Sequence, residues 1–212
     1  MKIYDVTIPL SSSTPVWEGE EGIHIHQSAE IGPESDYNVS RCEFGVHSGT
    51  HVDAPFHVLK SGKTVDSIPL QKLVGIAQVV EIPEDIGLIT RKVLQDVTID
   101  RDIKKIMFKT KNSDYWNEDP PHFSRDYVGL DTSGAEYLVS IKMELVGIDY
   151  FSVSAYDDLL QPHKTLLSDE VVLLENLDLR KINPGVYTIL CLPLKMVGTD
   201  GAPARVVLTR DQ

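Results

Sequence analysis

The 212-residue chain is 42% apolar and 25% charged, with 32 acidic against 20 basic residues and a formal net charge of −12. It is long enough for one sizeable hydrophobic core and ordinary in composition for a soluble globular protein. It has no run of lysine or arginine, which argues against nucleic acid or an anionic membrane surface as a partner, and no apolar stretch near the ~20 residues that cross a bilayer.

At the N-terminus, Asp5 interrupts the apolar run a signal peptide requires, so a cytoplasmic protein is expected. His24 and His26 alternate in GIHIHQ like the polar face of a strand. The segment HSGTHVDAPFH follows at 47–57 and is taken up below. Short β-branched apolar runs then predict strands at 76–82 (IAQVVEI), 103–109 (IKKIMFK), 145–151 (LVGIDYF), 170–177 (EVVLLENL), 186–192 (VYTILCL) and 204–208 (ARVVL). Thr90 caps a short predicted helix, RKVLQDV at 91–97. Residues 111–127, polar and broken by a Pro-Pro pair, read as a long loop of the kind that borders function. Asp131 or Thr132 caps a predicted helix over 131–145, with Gly134, Leu138, Ile141 and Leu145 as its stripe. Cys42 and Cys191 read as two buried free thiols. Strands separated by two or three helices, without repeat or linker, predict a single α/β domain over 1–212.

The segment at 47–57 concentrates three of the seven histidines beside an aspartate. A helix is disfavoured there, because Gly49 and Thr50 weaken it and Pro55 breaks it. A straight strand puts His47, His51, Asp53 and His57 on one face, but holds the Cα atoms of His47 and His51 about 13 Å apart. The segment must therefore bend to bring its ligands to one ion, and Gly49 and Pro55 supply the bends. Imidazoles with a carboxylate suit zinc, manganese or iron. Far downstream, Glu175 stands in the apolar run VVLLENL, where a carboxylate must face solvent or meet a positive partner. His163 reads as a loop residue or a further ligand.

HSGTHVDAPFH resembles the HxGTHxDxPxH signature of the cyclase-like metal-dependent hydrolases, which include kynurenine formamidases and isatin hydrolases. The likeness extends to YDVTIPLSSSTPVWEGE, VGIDYFSV, HKTLLSDEVVLLENL and GTDGAPARVV. It implies a mixed or barrel-like β-sheet flanked by a few helices, of the swivelling β/β/α type, in a dimer or tetramer. It also implies one or two divalent ions per chain, zinc with manganese as the alternative. His47, His51 and Asp53 would bind the first; Asp53 and Glu175 would bridge to a second held by His163. His57 would carry protons, and Trp17 would line the substrate pocket. The chain departs from the family pattern in reading Trp17-Glu18-Gly19-Glu20 where many members have WPGD, and in placing Ser154 where an acidic residue often follows GIDxxSx.

The expected reaction is cleavage of an amide C–N bond by metal-activated water, with an aryl amide such as N-formyl-L-kynurenine as substrate. Tyr115 and Trp116 are candidates for an aryl pocket beside Trp17. An isatin-type lactam hydrolase needs the same ligands with a different pocket. A non-haem iron oxygenase would use two histidines and a carboxylate, and a non-catalytic metal-binding protein would keep the ligands without needing His57.

Overall fold

The computed structural model describes residues 1–118 and 121–210. Its strands are β1 (Lys2–Asp5), β2 (His24–Ala29), β3 (Val39–Glu43), β4 (His51–Asp53), β5 (Val74–Glu81), β6 (Leu88–Ile89), β7 (Lys105–Lys109), β8 (Gly129–Leu130), β9 (Leu145–Ile148), β10 (Val172–Glu175), β11 (Gly185–Pro193) and β12 (Gly201–Arg210). The helices are α1 (Leu70–Leu73), α2 (Arg91–Asp96), α3 (Thr132–Ser140) and α4 (Leu160–Ser168). No helix among the described residues is long and apolar enough to cross a membrane.

The main sheet runs β1-β12-β11-β5-β7-β9-β10-β4, and β4 pairs back onto β12. Seven strands thus close into a barrel, with β1 attached outside the ring along β12. Pairing is parallel from β5 through β7 and β9 to β10, and antiparallel elsewhere in the ring. Side chains alternate across its wall. Val52, Val79, Met107, Leu174, Ile189 and Val206 fill the interior, whereas Ile106, Phe108, Val146, Ile148 and Leu173 pack outward with Leu94 of α2, Leu138 of α3 and Leu166 of α4. Strands covered on both faces read as continuous apolar runs, which is why VVLL and KIMF show no polar alternation.

Two expected caps form: the Thr90 side chain accepts from the Val93 N–H at 3.3 Å, and Asp131 from the Gly134 N–H at 2.8 Å. The helix begun at Asp131 stops at Ser140, not 145. Lys142 has φ +64°, and the Glu144 N–H donates to the Lys104 carbonyl, so the chain has already turned towards β9. Within 111–127, residues Lys111–Asn117 form a 3-10 helix; of the Pro-Pro pair, the first lies outside the described residues. The thiols are free, but only Cys191 is buried; Cys42 is exposed on β3. His24 and His26 lie on a strand, β2, as expected, but Ile25 between them is exposed as well, so the strand has no buried face to alternate with.

Candidate metal centre

His51 and Asp53 share the outer face of β4 with their cross-strand partners on β10, where Glu175 pairs with His51 and Leu173 with Asp53. The other neighbour, β12, sets Gly201 opposite Asp53. His47 reaches the same place because the chain turns at Gly49, whose φ is +60°. Pro55 starts a 3-10 helix, Pro55–His57, that brings His57 back over the cluster. His163 arrives from α4. That helix was not expected from the sequence, because Pro162 disguises it. Pro162 is the third residue of α4, in the first turn, where helix N–H groups lack intrahelical acceptors anyway.

Each imidazole is held by the atom facing away from the cluster centre or by a carboxylate. The Nδ1–H of His51 donates to the Gly49 carbonyl at 2.8 Å, so its Nε2 faces Asp53 Oδ1 (3.3 Å) and Glu175 Oε2 (3.4 Å). Nδ1 of His163 lies 2.8 Å from the Leu159 carbonyl and 2.6 Å from Ser154 Oγ. A carbonyl only accepts, so this nitrogen carries the hydrogen. Its Nε2 then faces Glu175 Oε1 (3.3 Å) and Asp53 Oδ2 (3.7 Å). Ser154, a departure from the family pattern, thus touches the imidazole from behind. Both nitrogens of His47 meet carboxylates, Asp53 Oδ1 at 2.9 Å and Asp200 Oδ2 at 2.8 Å. His57 Nδ1 lies 3.2 Å from that same Asp200 oxygen.

Glu175 is 4% exposed and so does not face solvent; its Oε1 accepts the Val153 N–H at 2.7 Å. Two atoms of the cluster, His51 Nε2 and Asp53 Oδ2, are buried without a hydrogen-bond partner. Buried polar atoms are seldom left so. Two sets of donor atoms each converge within 4.8 Å: His47, Asp53 and His57, and His51, Asp53 and Glu175. The residues therefore fit a divalent cation by donor chemistry, by convergence and by the two buried atoms without a hydrogen-bond partner. Asp53 belongs to both sets.

Burial opposes the charged form of every group, yet the ion pairs prevail. Asp53 raises His47, Asp53 and Glu175 raise His51 to about 10, and Glu175 with Asp53 raises His163. His47 and His51 hold Asp53 well below the usual carboxylate range. His163 and His51 lower Glu175 against repulsion from Asp53, and His47 and His57 lower Asp200. Without a cation the cluster is a set of imidazolium–carboxylate pairs, and binding a cation releases protons. The contribution of His51 to stability is complete below its ordinary 6.5 and is lost as pH rises towards about 10. That of Asp53 is complete above its ordinary 3.8 and is lost in acid. The Tm in EDTA is therefore expected to fall between pH 6.5 and 10, and to fall less with saturating divalent cation. A chelated protein whose Tm climbs over that window contradicts the pairing.

Two residues near the centre carry no signal in the local spacing. Asp200 lies in the GTDGAPARVV segment and links His47 to His57. Asn176 has φ +57° and its Nδ2 donates to the Gly49 carbonyl at 3.1 Å, the same oxygen that holds His51. The Thr50 hydroxyl donates to the Asn176 carbonyl and accepts the Ile8 N–H at 2.8 Å. The bend is thus fixed from three directions. Gly49→Ala is expected to cost about 1–2 kcal/mol from the left-handed backbone alone. Its Cβ would also sit 2.5 Å from Leu10 Cδ2. Thermal melts of the chelated protein read the first effect, and cation affinity reads any movement of the Gly49 carbonyl.

His47, His57, His163 and Glu175 open onto a cavity of about 310 Å³, walled by Val16, Trp17, Phe151 and Leu160 among others. Trp17 packs on Phe123 (centroids 4.7 Å) and stacks on Tyr156 (6.0 Å). Tyr115 and Trp116 do not line it. Trp116 is buried against Phe151, and its Nε1–H donates to the Asp149 carbonyl at 3.1 Å; Phe151 takes its place beside Trp17 in the cavity wall. A wider cleft of about 530 Å³ borders Lys109 and Arg180. It holds no imidazole, and those cations are already paired with Glu81 and Asp178.

A closed barrel with four imidazoles and three carboxylates gathered against its outer wall, under an apolar cavity, has the donor groups to bind a cation beside a small organic molecule. Residues 4–155 match the family model described as putative cyclase. The chain belongs to that cyclase family. It is 38% identical to cyclase-like protein 3 of Arabidopsis thaliana, over 99% of this chain and 80% of that one. It is 34% identical to kynurenine formamidase of Salinibacter ruber, over 98% and 97%. A solved structure described as a potential metal-dependent hydrolase with cyclase activity superposes with a TM-score of 0.84 at 33% identity, covering 100% and 99% of the two chains. An isatin hydrolase shares the fold, with a TM-score of 0.85 at 20% identity over 100% and 93%.

Proposed function

We propose that the protein is a metal-dependent hydrolase that cleaves the C–N bond of an aryl amide, with N-formyl-L-kynurenine as the model substrate. The observation that carries this reading is the pair of unpartnered buried atoms, His51 Nε2 and Asp53 Oδ2, converging with Glu175 and His163 beside an aromatic cavity. The kynurenine formamidase relative and the metal-dependent hydrolase structure support the same class.

His47, His51, Asp53, His163 and Glu175 would hold one or two divalent cations, zinc or manganese. Such a cation supplies a water whose pKa falls towards ~7 and polarises a carbonyl oxygen. His57 takes up and delivers the proton: the Asp200 carboxylate accepts its Nδ1–H, which leaves Nε2 as the exchanging atom. An amide nitrogen leaves poorly as an anion, so the proton His57 gives it completes the cleavage. Trp17 and Phe151 line the cavity and give an aryl ring aromatic surface to pack against. Metal content per chain, with rates on N-formylkynurenine and isatin side by side, tests the proposal. Loaded enzyme inactive on both removes these substrates, and a protein that binds no divalent metal removes the whole reading.

A further inference from the structure

The cavity has a charge pattern that amide hydrolysis by itself does not require. Its inner end is the imidazole–carboxylate cluster, its walls are apolar, and Glu20 and Glu21 stand among the residues around it. Both glutamates are exposed, and among the described residues neither forms an ion pair. No lysine or arginine lines the cavity among the described residues. The Arg125 guanidinium, beside the Trp17 wall, is already compensated. Its Nε and an Nη donate to Glu18 Oε2 at 2.9 and 2.6 Å, and it lies 5.0 Å over the Tyr156 ring, which stacks on Trp17. Glu18 is also held by the Tyr156 hydroxyl. A ligand whose ring packs on the Trp17 and Phe151 walls, with its amide towards the imidazoles, extends its far end past Glu20 and Glu21 with no lysine or arginine among the lining residues to meet it.

We infer that this site selects aryl amides that are neutral, or carry an ammonium group at the end away from the scissile bond, and discriminates against those with an anionic group there. The inference rests on the hydrolase reading above and specifies its substrate class. Like charges facing each other across a partly desolvated mouth weaken binding, and opposite charges favour it. An amino-acid side arm would direct its ammonium at Glu20 and Glu21 and leave its carboxylate to water.

Calorimetric titration of the metal-loaded protein with three slowly cleaved anilides of matched shape tests this: acetanilide, its 4-trimethylammonium derivative and its 4-sulfonate. The sulfonate is a weak metal ligand, so coordination does not mask the charge effect. At low salt the sulfonate is expected to bind more weakly than the other two by about fivefold or more. The gap is expected to narrow to within about twofold in the Glu20→Gln/Glu21→Gln double variant, whose changes fall on exposed side chains. Equal affinities in the unaltered protein, a gap unchanged in the double variant, or binding of none of the three overturns the inference. Hydrolysis of the corresponding formanilides is followed in parallel. The charge order without any cleavage would overturn the hydrolase reading while sustaining the charge rule.

Discussion

Asp53→Ala is expected to lose both the bound metal and the hydrolytic activity. Asp53 is the one residue common to both converging donor sets, and its two oxygens face His47, His51 and His163. Partners that merely orient a ligand cost about 10–100-fold in metal affinity when removed, so a carboxylate shared by the donor sets costs more. The substitution also removes the main charge that raises His47 and one of the two that raise His51 and His163, leaving Glu175 as the carboxylate facing the latter pair. Metal content after dialysis, with Tm in EDTA to confirm folding, reads the effect; Asp53→Asn keeps the volume if alanine unfolds the chain. A folded variant that retains its full complement of metal would falsify the central position of Asp53.

His57→Ala is expected to keep the metal and lose hydrolysis by about 10²–10⁴-fold, the usual worth of a positioned general acid–base. Its ring lies tilted against that of His47, with centroids 4.2 Å apart, and lines the cavity. Donor atoms of His57, His47 and Asp53 also lie close enough to share a cation. Metal content therefore decides between two roles. If the variant sheds a cation in proportion to its lost activity, His57 is a ligand, and the proton must travel by another group. Retained metal with a lost pH limb in kcat assigns it the proton. Asp200→Asn should then give a smaller loss, because it weakens the hold on the His57 Nδ1–H without removing the ring.

How much of this was legible before folding depends on the range of the physics involved. The strands at 186–192 and 204–208 fall within β11 and β12, and that at 76–82 coincides with β5 up to Glu81, because β-branched runs encode extended backbone locally. The caps at Thr90 and Asp131 are similarly local. The helix of residues 160–168 was missed because its proline and mixed polarity mask the period, and its apolar face is set by packing under the barrel wall. Tyr115 and Trp116 lie away from the cavity for a related reason. Composition says that an aromatic residue is present, while the Asp149 carbonyl that binds the Trp116 indole decides which way it turns.

The sequence by itself determined the donor types, the shared parity that puts His51 and Asp53 on one face of β4, and the need for a bend that Gly49 now makes at φ +60°. Those are consequences of bond geometry over eleven residues. Only the tertiary structure decided that Glu175 lies opposite His51, that His163 descends from a helix, that Asp200 ties His47 to His57, and that Asn176 pins the Gly49 carbonyl. These contacts depend on which strand edges pair when the barrel closes. Spacing along one chain fixes which face a side chain occupies; the register between β4, β10 and β12 fixes what it meets there.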